Sequence, residues 1–135
     1  MLEIQDLLIE AEIEGVWKPI VNSLSLNLKK GEIVGLIGES GAGKSTLGLA
    51  ALGYTKPGCR IVSGSIRFDG RELTTLSEPE LRKLRGVRVS YVAQSAAAAF
   101  NPAHRLIDQF SETSIQHGRM TVSYTHLTLP TILLV

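Results

Sequence analysis

The chain has 135 residues, 44% of them hydrophobic and 20% charged, which is enough for one packed domain and too apolar for a disordered tail. Its formal net charge of +1 gives no support for nucleic-acid binding or a polybasic membrane patch. The single cysteine, Cys59, excludes an internal disulfide framework, and no Cys/His cluster has zinc spacing. No apolar run reaches the length of a membrane span, and Glu3 and Asp6 stand where a secretory leader would be basic. These bounds lead us to expect a soluble intracellular α/β domain, or a piece of one.

Leu2-Glu3-Ile4 opens a β-prone run that continues through Leu7, Leu8 and Ile9. Leu24-Ser25-Leu26-Asn27-Leu28 alternates apolar and polar residues, the pattern of a half-buried strand, and Lys29-Lys30-Gly31-Glu32 reads as the turn after it. Ile33-Val34-Gly35-Leu36-Ile37 is short, continuous and apolar, which predicts a strand buried on both faces. After a glycine-rich loop over residues 38–43, residues 44–52 read as a buried helix closed by Gly53. Gly64-Ser65-Ile66-Arg67-Phe68 reads as a strand, and Asp69-Gly70 as a tight turn. Ser77 with Glu80 three residues on predicts a capping box for a helix carrying Leu81, Leu84 and Arg85. Residues 87–92 alternate again, and Pro102 precedes a helical stretch over about residues 105–117. Arg82, Lys83, Arg85 and Arg88 read as a solvated helix face beside Glu78 and Glu80. There is no internal repeat.

Composition breaks near the C-terminus: the last 16 residues contain no Asp, Glu, Lys or Arg. The string Val122-Ser123-Tyr124-Thr125-His126-Leu127-Thr128-Leu129-Pro130-Thr131 back-translates as GTC TCT TAT ACA CAT CTG ACG CTG CCG ACG, which looks like a sequencing-library transposase adapter. The expectation is therefore a native segment over 1–121 and translated adapter over 122–135, against an ordinary C-terminal strand turning at Pro130. A different codon series in the source DNA would refute it.

The chemistry lies in Gly38-Glu39-Ser40-Gly41-Ala42-Gly43-Lys44-Ser45, which fits G-x-x-x-x-G-K-[ST], the phosphate-binding loop. The glycines permit backbone angles that a Cβ disfavours, so the loop can wrap a phosphate with its N–H groups inward. The helix that follows adds the positive end of its dipole. Lys44 supplies a point charge to the β- and γ-phosphates, and Ser45 a hydroxyl to Mg²⁺ bridging them. Thr46 adds a hydroxyl near the α-phosphate. At average composition the pattern arises by chance in roughly one chain of this length in 200. A predicted strand before it and a predicted helix after it supply the required context.

The loop alone says only nucleoside triphosphate. A GTPase would add Asn-Lys-x-Asp, which is absent, and a small nucleotide kinase an Arg-rich lid, which is not clearly present. Gln94 follows the predicted strand over 87–92 and lies fifty residues after Lys44. An amide at such a strand end can reach Mg²⁺ or an attacking water, or it is a loop glutamine in solvent.

With these residues in view the chain resembles an ATP-binding cassette (ABC) ATPase. The resemblance runs in order across most of residues 1–118: the strand and turn over 24–32, the phosphate loop, the hairpin segment over 64–70, and the approach to the family's Q-loop over 84–94. Phe100-Asn101-Pro102 with Ile107-Asp108-Gln109 looks most like the ATPases of dipeptide, oligopeptide and nickel importers. The resemblance implies an α/β P-loop NTPase fold, a RecA-like core with an N-terminal antiparallel β-subdomain. It implies that residues 39–46 hold the phosphates of ATP, that Ser45 and Gln94 contact Mg²⁺, and that Lys44 and Gln94 are catalytic. It implies an aromatic stacked on adenine, for which Trp17 is the nearest candidate, although its spacing to Gly31 does not align cleanly. It also implies permease partners, a second ABC ATPase domain, no nucleic acid, and a place at the cytoplasmic face of the membrane.

The departures are as informative. There is no Leu-Ser-Gly-Gly-Gln-type signature and no apolar strand ending in Asp-Glu; Asp6, Asp69 and Asp108 are the only aspartates. His104 comes too early for the family's switch histidine, His117 lacks a strand before it, and His126 lies in the adapter-like string. The chain thus resembles the N-terminal part of the domain, incomplete, with no general base. Three readings follow: the ATP-binding subunit of a peptide or nickel importer, a non-transport ABC ATPase of the DNA-repair or chromosome type, or a nucleotide-binding fragment without turnover.

Overall fold

The computed structural model describes residues 1–92, 95, 100–116 and 118. The chain divides into two compact units, Met1–Tyr91 and Val92–Val135.

Four strands form one antiparallel sheet in the first unit: β1 (Leu2–Ile13), β2 (Val16–Leu28), β3 (Cys59–Phe68) and β4 (Arg71–Glu72), in the order β2-β1-β3-β4. Both two-residue hairpins use residues that tolerate positive φ. Glu14 and Gly15 (53° and 77°) join β1 to β2, and Asp69 and Gly70 (49° and 78°) join β3 to β4. Positive φ at both central positions matches the twist of the flanking strands.

Three of these strands are longer than their sequence patterns indicate. Strand β2 begins at Val16, although Lys18-Pro19 interrupts its apolar pattern. Pro19 is tolerated because β2 lies at the sheet edge and bonds only to β1, so the missing N–H breaks no second ladder. Strand β3 begins at Cys59 and passes a register shift near Gly64, where φ is 96° and a side chain would meet the Asp6 carbonyl at 2.6 Å. Over residues 24–28 the predicted alternation holds: the leucines are half-buried, and Ser25 and Asn27 are exposed.

Two helices and a short 3-10 turn complete this unit: α1 (Lys44–Ala50), the turn Leu73–Thr75, and α2 (Glu78–Leu84). The predicted capping box is present at α2: the Ser77 hydroxyl and backbone N–H both donate to Glu80 Oε2, at 2.5 and 2.9 Å. The core gathers Ile4, Leu7, Ile9, Val21, Ile66 and Leu73 with Leu47 and Ala50 of α1 and Leu81 of α2. Each Ile or Leu so buried is worth about 1.5–3 kcal/mol, and Leu47 and Ala50, three apart, form the face of α1 that meets the sheet.

Two predicted strands do not form. Residues 33–37 make no ladder, and Ile33 and Ile37 are 97% and 99% exposed. A doubly buried strand takes its hydrogen bonds from parallel neighbours distant in sequence, and no such neighbour exists among the described residues. Residues 87–92 likewise form no strand; a single bridge joins Arg85 to Val89. The antiparallel subdomain is thus present, while the parallel sheet of a RecA-like core is not among the described residues.

In the second unit, α3 (Leu106–Gln116) follows Pro102, as its sequence predicts. The Gln109 side chain fixes the segment before it. Its Oε1 accepts from the Asn101 N–H at 2.8 Å, and its Nε2 donates to the Asn101 carbonyl at 3.0 Å.

Candidate functional site: a phosphate loop on α1

The loop over residues 38–45 leads from the unpaired segment 33–37 into α1. Gly41 and Gly43 take positive φ, 86° and 76°. At Gly43 a glycine is required twice over: besides φ, a Cβ there would lie 2.6 Å from the Ile20 carbonyl oxygen and 3.0 Å from Val21 Cγ2. The loop backbone therefore rests directly on β2. A turn closed by the Ala42 N–H on the Glu39 carbonyl, 3.2 Å, gives the loop its curl.

Gly43 is the N-cap of α1, with no side chain to cap the first turn and no acidic residue within it. The first-turn N–H groups and the positive end of the helix dipole are left for an anion. Lys44 folds back over the loop, donating from Nζ to the carbonyls of Gly38 at 2.7 Å and Glu39 at 2.5 Å. Glu39, Ser40, Ala42 and Ser45 are exposed and Thr46 is half-buried. A cavity of about 200 Å³ opens beside it, with Ile20, Asn22, Leu36 and Ile37 as walls and Lys44 at its edge. That is smaller than the roughly 300–1,000 Å³ of most small-molecule sites.

This geometry fits a nucleoside triphosphate, since a glycine cradle, an uncapped helix turn and a lysine converge on one loop. For a divalent cation the chain offers the Ser45 hydroxyl. Among the described residues no group of three or more His, Cys, Asp or Glu could hold a metal ion, so a cation here would be held chiefly by the phosphates.

Gln94 lies outside the described residues, as do His117, His126 and residues 122–135. Trp17 pairs across the hairpin with Glu12, and the Arg60 guanidinium lies 4.1 Å from its ring centroid. Arg60 is held there by Glu10 Oε2, at 2.7 Å from Nη2 and 3.0 Å from Nε. Trp17 is not among the residues lining the cavity beside Lys44.

Arg85 departs from the solvated face predicted for it. It caps α2 and donates to the carbonyls of Leu52 at 3.0 Å and Gly53 at 2.6 Å, in the turn that ends α1. No sequence pattern marks these bonds, because they join residues more than thirty positions apart. Arg88 bonds Asp69 at 2.6 Å, while Arg82 keeps to the helix surface beside Glu78.

Fold and loop together define a phosphate-loop nucleotide-binding domain. A profile of the ABC transporter family matches residues 21–132, and the chain belongs to that family. It is 39% identical over 106 residues to the peptide transport system ATP-binding protein SapD of Salmonella typhimurium, covering 78% of this chain and 32% of that protein. It is 36% identical over 121 residues to the oligopeptide transport ATP-binding protein OppD of Escherichia coli, covering 90% of this chain and 36% of that protein. The chain spans about a third of the length of these curated relatives. Among solved structures it resembles the ATP-binding cassette MJ0796, a dimer bound to ADP and Pi, with a TM-score of 0.73 and 20% identity over 93% of this chain and 52% of that one. At that identity the likeness concerns the fold. No helix among the described residues is long and apolar enough to cross a membrane.

Proposed function

We propose that this chain is the ATP-binding part of an ABC transporter ATPase serving peptide import, with permease subunits and a second ATPase domain as partners at the cytoplasmic face of the membrane. The observation that carries the reading is the phosphate loop: Lys44 on an uncapped α1, in a chain 36–39% identical to transport ATP-binding proteins over most of its length. Residues 38–46 hold the phosphates, and Lys44 leaves its loop carbonyls to pair with them. Ser45 and Gln94 serve the Mg²⁺ ion. When bound, ATP and Mg²⁺ supply the reactive phosphoryl group and its charge neutralisation; the chain supplies position and positive potential. Trp17 enters as the base contact, and Arg60 must then leave its ring.

The chain as written binds nucleotide without hydrolysing it, because no apolar strand ending in Asp-Glu offers a general base. The exposed Ile33 and Ile37 favour the same view, since an ATPase of this class needs that strand fixed. Residues 122–135 we read as translated adapter, although the family match runs to residue 132; resequencing the source DNA without transposase adapters decides. The functional test combines ATP retention and phosphate release on one sample. Retention lost in Lys44→Ala, with no phosphate released above that variant's background, is expected. Phosphate release by the wild-type chain would overturn the claim of no turnover, and lack of retention would overturn the binding claim.

A further inference from the structure

We propose that Arg85 is a positioning residue for the phosphate loop, acting through α1 from its far end. This rests on the reading of residues 38–45 as the nucleotide site.

Helix α1 has seven residues, about 10 Å of axis, so a displacement at one end reaches the other. Its N-terminal turn carries Lys44 and Ser45. Its C-terminal end closes through Gly53, whose φ is 67°, with backbone N–H groups of Gly53 and Tyr54 on the Ala50 and Leu49 carbonyls at 2.8 and 3.1 Å. The carbonyls of Leu52 and Gly53 accept from Arg85. The Arg85 side chain is only 25% exposed, its Nη1 donates to Glu78 at 3.0 Å, and its guanidinium carbon lies 5.9 Å from the Tyr54 ring centroid. A planar donor fork with two carbonyls on one edge and a carboxylate on another fixes position in a way that one ammonium cannot. A cation at the C-terminal end of α1 also favours the dipole that presents its other end to phosphate. Leu81 packs against the same turn: a Cβ on Gly53 would meet its Cδ2 at 2.7 Å. Arg85 is thus the polar half of a clamp between α2 and the end of α1, and residue 85 opens the segment that leads toward Gln94.

The test uses the full chain, Mg²⁺-ATP and two readouts: the dissociation constant, and the ³¹P resonance of the bound β-phosphate. Wild type and Lys44→Ala come first; if both fail to bind, it is the nucleotide-site reading that fails, before Arg85 is tested. Given wild-type binding, Arg85→Met is expected to weaken ATP about tenfold, the scale of losing charged hydrogen bonds, and to shift the β-phosphate resonance. Arg85→Lys is expected to recover part of both. Glu78→Gln, which frees one edge of the guanidinium without removing it, covers the case in which Arg85→Met does not fold; a smaller change in the same direction is expected. Wild-type affinity and an unmoved resonance in folded Arg85→Met, or in Glu78→Gln where Arg85→Met does not fold, would overturn the proposal.

Discussion

Gly43 of the phosphate loop lies against the carbonyl of Ile20 in β2, so closely that a methyl on Gly43 would come within 2.6 Å of that oxygen. The obstacle is backbone, not a flexible side chain, and φ at Gly43 is 76°. Gly43→Ala should therefore displace the loop from the sheet and destabilise the chain by about 1–3 kcal/mol. Denaturant unfolding and ATP titration of one preparation check this; unchanged stability with unchanged affinity would contradict the packing.

Gly48 provides the opposite case in the same helix. It has no positive φ, and a Cβ there meets nothing within 4 Å. Gly48→Ala should stabilise the chain by about 0.4–1 kcal/mol, since alanine gives up less backbone entropy on entering a helix. A rise in Tm with ATP affinity unchanged is expected.

Trp17 is the chain's only tryptophan, so its fluorescence reports one site. Arg60 covers the ring, and the pair is exposed enough that Arg60→Met should change stability by less than about 1 kcal/mol. The same substitution should shift the emission maximum. If Trp17 contacts the base, Mg²⁺-ATP quenches this emission, and does so more readily in Arg60→Met. A spectrum unaltered by saturating ATP removes Trp17 from the site.

Asp69 accepts from the N-terminal ammonium and from Arg88, and these contacts, the ammonium's hydrogen bond foremost, hold its carboxyl below the ordinary aspartate value. Glu80, bonded by Ser77, is lowered as well. At Glu72 burial raises the pKa, but hydrogen bonds from Thr74 and Ile66 outweigh it. A depressed folded pKa gives stability that is present above the unfolded value, near 3.9 for aspartate, and is lost as pH falls through the folded value. Asp69→Asn, which suits the positive φ of its turn, should lower Tm at pH 7 and approach wild type at about pH 2. A constant difference across that range would show that the ion pairs contribute nothing.

Local chemistry was legible in the sequence, and long-range pairing was not. The Ser77–Glu80 box and the Asp69-Gly70 turn are set within a few residues, and both form as their residue types require. The glycine pattern of residues 38–45 was readable because each glycine answers a local backbone need. Residues 33–37 show the limit: an apolar run specifies what it can bury against, and a strand exists only where a neighbour supplies the ladder. Val16 to Ser23 were hidden by Pro19, which only the edge position of β2 makes acceptable. Arg85 was hidden among basic neighbours, since its role comes from carbonyls in a turn distant in sequence.

Calorimetric titration of Mg²⁺-ATP into this chain and into Lys44→Ala tests the phosphate site most directly. Saturable binding by the wild-type chain and none by the variant at the same concentrations is expected, with both folded by circular dichroism. Equal heats from the two proteins, or no binding by either, would contradict a phosphate site built around Lys44.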